Sequence, residues 1–223
     1  MTVRLLIADD HTIVRGGIRM FLGLDDEIEI VGETADGKEA VAMSHKLHPD
    51  VVLMDLIMPG MDGIAATAVI RRELPDVEVI ALTSVLEDSL VVGAIRAGAI
   101  GYLLKDTHAD ELCQAIKAAA SGRVYLSPAA ASRLLREVKE PDNPQPLTDR
   151  EMDVLRLLSQ GKANKEIARE LSIGQQTVKT YVSSILSKLG VQSRTQAALY
   201  GVQSGLVPAS DLTTSSAGGL ATS

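Results

Sequence analysis

Asp50 to Gly63 reads D-V-V-L-M-D-L-I-M-P-G-M-D-G. Val51 to Asp55 carries four apolar side chains and ends on one carboxylate, and Pro59 and Gly60 close the run. An apolar stretch of that length, bounded by turn residues, predicts a strand buried on both faces. Asp55 then stands at the carboxyl end of a central strand, where open α/β sheets place their ligand sites.

Similar runs repeat on both sides of this stretch. Val3 to Ala8, Glu27 to Glu33, Val77 to Thr83 and Gly101 to Lys105 are the other predicted strands. Helical spacing falls between them, at His11 to Gly23, Gly37 to His48, Gly63 to Glu73, Ser89 to Gly98 and Asp110 to Ala120. The first helix has Val14, Ile18, Phe21 and Leu22 as its apolar stripe. Its two glycines, Gly16 and Gly17, find no explanation in the sequence. Five strands alternating with five helices predict a parallel sheet covered on both faces.

The strand ends carry the chemistry. Asp9 and Asp10 end the first strand, Asp55 the third, Thr83 the fourth and Lys105 the fifth. Three carboxylates in one crevice repel unless a cation shares the site. Mg²⁺, a hard ion that takes oxygen ligands, suits them. A Lys and a hydroxyl opposite suit the oxygens of a phosphoryl group. The pattern predicts phosphoryl transfer to a carboxylate. His11 beside the acidic pair reads as a loop residue, and His45, His48 and His108 lack ligand spacing. Cys113 reads as a small packed residue of an amphipathic helix.

The front of the chain resembles a response-regulator receiver domain. A-D-D-H at Ala8, the Asp50 stretch, A-L-T-S at Ala81 and G-A-I-G-Y-L-L-K-D at Gly98 carry the likeness, over residues 1–121. It implies a flavodoxin-like (CheY-like) five-stranded parallel fold with strand order 2-1-3-4-5. It implies Asp55 as phosphoacceptor, and Asp9, Asp10, Asp55 and the Ile57 carbonyl as Mg²⁺ ligands. Thr83 and Tyr102 become the switch residues and Lys105 the partner of the phosphate. A haloacid-dehalogenase phosphatase also uses Asp and Mg²⁺, but needs a second Asp where this chain has Ile57. Turnover is therefore expected to be limited to autodephosphorylation, not enzymatic catalysis.

Residues 122–146 change character. Ser127 as N-cap and Pro128 at the first position predict a helix to about Lys139. Three prolines from Pro141 to Pro146 then predict a hinge. Beyond it, Thr148 and Glu151 form a capping-box pattern that opens a helical block. Helices are expected at Asp149 to Gln160, Asn164 to Leu171 and Gln175 to Leu189. The S-I-G link at Ser172 has helix-turn-helix length. On the third of these helices Val178, Val182, Ile185 and Leu189 form the core stripe. Gln176, Lys179, Thr180 and Ser183 face the other way, as a groove-reading helix or an ordinary solvated face would have them.

L-T-D-R-E-M-D-V-L at Leu147, N-K-E-I-A-R-E-L at Asn164 and T-V-K-T-Y-V-S-S-I-L-S-K-L-G-V at Thr177 resemble the LuxR-type helix-turn-helix. With a receiver in front, residues 1–208 resemble a NarL/FixJ-class response regulator, α/β then all-α, whose second domain is a four-helix unit at 147–208. The likeness implies DNA contacts by Gln176, Thr177, Lys179, Thr180 and Ser183, and leaves Tyr181, where many members carry His, without a role. It implies a fourth helix at about Arg194 to Leu206, with Leu199 and Val202 in a dimer contact. Its implied partners are a sensor histidine kinase, double-stranded promoter DNA and a second copy of the chain. In this class, phosphorylation frees the helix-turn-helix or drives dimerisation. A regulator that binds DNA unphosphorylated is the alternative. Residues 209–223 lack periodicity and apolar mass, and are expected to be disordered.

Composition agrees with two modest domains in 223 residues. The net charge of −7 divides unevenly: residues 1–120 hold 10 Lys+Arg against 20 Asp+Glu, and residues 147–207 hold 8 against 5. The halves are therefore expected to meet different partners. No Trp, one Phe and four Tyr argue against base-stacking platforms for single-stranded nucleic acid. One cysteine, no signal-peptide pattern and no apolar run near 20 residues suit a cytoplasmic protein that is not membrane-bound.

Overall fold

In the computed structural model, residues 2–85, 87–127, 130, 131, 134 and 146–208 are described. Strands β1 (Val3–Ala8), β2 (Ile28–Thr34), β3 (Val51–Asp55), β4 (Glu78–Thr83), β5 (Gly101–Leu104) and β6 (Tyr125–Leu126) form one sheet in the order β2-β1-β3-β4-β5-β6. All pairs are parallel. The order of the first five strands is the expected one. The sixth is a correction: two residues after the last sheet helix pair with the free edge of β5. A two-residue strand has no periodicity to detect, because its partner edge defines it.

Helices α1 (Thr12–Leu22), α2 (Gly37–Leu47), α3 (Gly63–Glu73), α4 (Asp88–Arg96) and α5 (Ala109–Ala120) cover both faces. Leu5, Ile7, Val51 and Leu53 point to one face, while Leu6, Ala8, Val52 and Met54 point to the other, all fully buried. This two-sided burial is why the strands read as unbroken apolar runs. Phe21 departs from its expected place and is 54% exposed, along with Ile13, Met20 and Leu24. Burial on α1 falls to Ile18 and Leu22, four residues apart, a stripe too narrow to include Phe21.

Gly63 at the start of α3 lies directly behind Asp55. A Cβ there would stand 1.9 Å from the Asp55 carbonyl oxygen, so only glycine allows this approach. The Gly63 N–H donates to the Leu56 carbonyl (3.1 Å), and Asp62 caps the helix by accepting from the Ala65 N–H at 2.7 Å.

The helical unit comprises α6 (Asp149–Ser159), α7 (Asn164–Leu171), α8 (Gln175–Leu189) and α9 (Arg194–Gln203). The capping box at Thr148 and Glu151 forms as the sequence predicts. Glu151 also accepts from Ser184 Oγ and Lys188 Nζ, both at 2.6 Å, which ties α6 to α8. Gly201 lets α9 close on α6, since a Cβ would lie 2.0 Å from Ser159 Oγ. The two units touch. Thr195 Oγ1 donates to the Ala99 carbonyl at 3.1 Å, and Arg123 forms a forked ion pair with Glu166 (2.5 and 3.2 Å). Among the described residues no helix is long and apolar enough to cross a membrane. Ser127 begins a helical turn, its Oγ accepting from the Ala130 N–H at 3.3 Å. Ala130, Ala131 and Leu134 of that predicted helix are helical and buried, while its other residues, the hinge before Pro146 and the tail 209–223 lie outside the described residues.

Candidate functional site

Asp9, Asp10, Asp55, Thr83 and Lys105 meet at the carboxyl edge of the sheet, because β1, β3, β4 and β5 all end there. Asp9 and Asp55 are buried, and Asp10 lies at the mouth. Lys105 Nζ reaches Asp9 Oδ2 at 2.8 Å and Asp55 Oδ2 at 2.7 Å. The Ile57 N–H donates to Asp55 Oδ1 at 3.1 Å, while the Ile57 side chain is half-exposed. The His11 N–H donates to Asp9 Oδ1 at 2.8 Å, and Arg15 donates to the Asp9 carbonyl.

Burial pushes the Asp55 carboxyl above its ordinary range; the hydrogen bonds from Lys105 and Ile57 oppose this, and the Asp9 charge adds to it. Burial lowers the Lys105 ammonium, but its hydrogen bonds to Asp55 and Asp9 outweigh that and hold it above the usual lysine value. Two buried carboxylates sharing one lysine remain short of positive charge. Ligand atoms of Asp9, Asp10, His11 and Asp55 all lie within 4.8 Å of one another. The three carboxylates are hard oxygen donors, a set that fits a divalent cation of the Mg²⁺ kind.

The two expected switch residues lie on neighbouring strands. Thr83 is buried, its Oγ1 accepting from the Val85 N–H at 3.3 Å. Tyr102 is fully buried and donates its hydroxyl proton to the Val85 carbonyl at 3.2 Å. Val85 thus joins them through its backbone. No sequence signal marks that link, because it depends on main-chain atoms and not on side-chain type.

The expected DNA contacts sit together on α8. Gln176, Thr177, Lys179, Thr180 and Ser183 are all exposed, while Val178, Ile185 and Leu189 are buried. Val182, the fourth residue of the expected stripe, packs half-buried against the same core and borders the cleft between the two units. Tyr181 packs half-buried against the core. Lys179 does not reach free solvent alone: Nζ contacts Asp76 Oδ1, between α3 and β4, at 2.6 Å. Lys179, Thr180 and Ser183 line a cleft with Arg71 and Asp76. The expected dimer role of Leu199 meets a further correction. Leu199 is fully buried in the helical core, since α9 packs on α6, while Val202 is half-buried. His11 is the exposed loop residue expected before α1, and its Nδ1 lies 2.7 Å from Asp10 Oδ1, 3.5 Å from Asp9 Oδ1 and 4.0 Å from Asp55 Oδ2. Its position next to the acidic pair was the available signal.

A sheet with acids at its carboxyl edge and a helix-turn-helix behind it define a class, and the family comparisons name it. The model "Response regulator receiver domain" matches residues 5–117, and "Bacterial regulatory proteins, luxR family" matches residues 145–200. The chain belongs to the LuxR family of two-component response regulators, which bind DNA and regulate transcription. The transcriptional regulatory protein LiaR of Bacillus subtilis (strain 168) is 47% identical over 92% of this chain and 99% of its own length. The response regulator ChrA of a heme-sensing two-component system is 38% identical, with a TM-score of 0.53 over 92% of this chain and 99% of that one. A structure of two RcsB dimers bound to two parallel DNAs is 28% identical, with a TM-score of 0.55 over 91% of this chain and 99% of that one.

Proposed function

We propose that Asp55 accepts a phosphoryl group from a partner sensor histidine kinase, and that the modified protein dimerises and binds promoter DNA. The observation that carries the first step is the setting of Asp55: buried, at the end of β3, with Lys105 on one oxygen and the Ile57 N–H on the other. One Asp55 oxygen forms the new bond to phosphorus, and the phosphorus–nitrogen bond of the donor breaks with its electrons going to that nitrogen. Lys105 is placed to meet the added negative charge, and Thr83 to donate a hydroxyl to a phosphoryl oxygen. Asp9, Asp10, Asp55 and the Ile57 carbonyl would hold Mg²⁺, which supplies charge neutralisation on the phosphoryl oxygens. We take residues 1–121 as the receiver unit and 147–208 as the DNA-binding unit, joined through 122–146.

In the unmodified protein, the pairing of Lys179 with Asp76 keeps part of the DNA-contacting face of α8 turned toward the receiver. Modification of Asp55, read through Thr83, Val85 and Tyr102, shifts the equilibrium toward an arrangement in which α8 is free. The DNA-bound RcsB dimers support the final step by likeness. Incubating wild type and Asp55→Asn with acetyl phosphate and Mg²⁺, then weighing the intact proteins, tests the acceptor. A phosphate adduct is expected on wild type alone, and an equal yield on Asp55→Asn would remove Asp55 from the reading.

A further inference from the structure

His11 precedes α1 as its N-cap residue, yet its side chain makes no capping hydrogen bond. The ring instead leans over the acidic pocket. Its Nδ1 lies 2.7 Å from Asp10 Oδ1, 3.5 Å from Asp9 Oδ1 and 3.5 Å from Lys105 Nζ. The ring is 62% exposed, so it is free to turn without disturbing the core. One cation bound at about 2.0–2.2 Å holds neighbouring ligand atoms about 3 Å apart and opposite ones about 4.3 Å apart. The four donor atoms, all within 4.8 Å of one another, are one small side-chain adjustment from such a shell.

We propose that His11 is a nitrogen ligand of the cation held by Asp9, Asp10 and Asp55, and that it favours transition-metal cations such as Mn²⁺ over Mg²⁺. The inference rests on the reading of those carboxylates as the cation site. Its chemical basis is the donor type. Mg²⁺ prefers oxygen and retains its waters, whereas the divalent transition ions accept imidazole, Mn²⁺ the least strongly of the series. The carboxylates alone serve both kinds of ion, and the imidazole adds a bond that only the second kind uses well. Lys105 now occupies Asp9 and Asp55, so an entering ion competes with it for the same oxygens. An extra ligand favours the ion that can take it. His45, His48 and His108 are not among the four residues whose ligand atoms gather here.

The test uses the full-length protein at one fixed pH, with Mn²⁺ and Mg²⁺ titrated into wild type, His11→Ala and Asp10→Asn. Pulsed electron paramagnetic resonance on the Mn²⁺ form reads whether a nitrogen is directly bound. Wild type is expected to show that nitrogen coupling, and His11→Ala to lose it. Loss of the ligand should raise the Mn²⁺ Kd at least about tenfold, the lower end of what losing even an outer-shell partner of a metal ligand costs, and leave the Mg²⁺ Kd within about twofold. Saturable Mn²⁺ binding with no nitrogen coupling in wild type, a coupling that survives in His11→Ala, or equal Mn²⁺ affinity of the two overturns the role of His11 alone. Absence of saturable binding of either ion to wild type, or binding undiminished in Asp10→Asn, overturns the cation site and the proposal with it.

Discussion

Charge reversal at Asp76 tests whether the receiver restrains α8. In wild type, Lys179 and Asp76 are paired at 2.6 Å, with side chains 51% and 81% exposed. Exposed pairs of this kind contribute about 0.2–1 kcal/mol. Asp76→Ala removes that attraction, and Asp76→Arg replaces it with repulsion of similar size, a total change of about 0.4–2 kcal/mol. That moves the balance between closed and open forms by a factor of about 2–30. If the closed form dominates, the apparent Kd for DNA falls by the same factor, because only the open fraction binds. Fluorescence anisotropy with a labelled duplex reads this directly in unphosphorylated full-length protein. Asp76→Arg should bind most tightly and Asp76→Ala should fall between it and wild type. Raising the salt should compress the difference, as screening weakens exposed pairs. After phosphorylation the three proteins should converge, since the restraint is already released. Unphosphorylated Asp76→Arg binding no tighter than wild type would refute the reasoning. A gain that persisted in full after phosphorylation would refute it too, by tracing the effect to the new arginine touching DNA.

Glu151 organises α6 and α8, and its hydrogen bonds from Lys188, Ser184 and Thr148 hold its carboxyl down at about 2. A folded value below the unfolded one of 4.5 means stability that is present above pH 4.5 and lost as the pH falls toward 2. The corresponding contribution is at most about 3 kcal/mol, an upper bound because Lys188 keeps contact with water. Glu151→Gln should therefore lower the Tm of the helical unit at neutral pH and flatten its decline below pH 4.5, as circular dichroism melts will show; an unchanged acid profile would count against this network. Gly63→Ala should destabilise the sheet unit by well over 1 kcal/mol, because its Cβ would meet the Asp55 carbonyl, and calorimetry will detect a near-neutral change if this is wrong. Lys179→Ala distinguishes two contacts in phosphorylated protein. A guanine contact costs about 1–3 kcal/mol on target DNA and relaxes one base position, while a phosphate contact weakens all duplexes alike and lowers the salt slope by about one. Equal binding of variant and wild type to target and scrambled duplexes would remove α8 as the reading helix.

The sheet unit and its acidic pocket were legible in the sequence for a simple reason. Strands buried on both faces have to be apolar throughout, so their polar ends stand out, and in a parallel sheet those ends gather at one edge. Asp9, Asp10, Asp55, Thr83 and Lys105 could be brought together on paper by that rule alone. The helical unit was legible through its capping box and the spacing of Val178, Ile185 and Leu189. Other features depended on neighbours that local periodicity does not encode. β6 exists because the edge of β5 was free to pair. Leu199 is buried because α9 turns back on α6, and Gly201 permits the approach. Lys179 meets Asp76 across 103 positions, and His11 turns over the pocket it precedes in the chain. Local sequence specifies which side chains an element can bury. Only the packing of one element on another specifies which exposed side chains then meet.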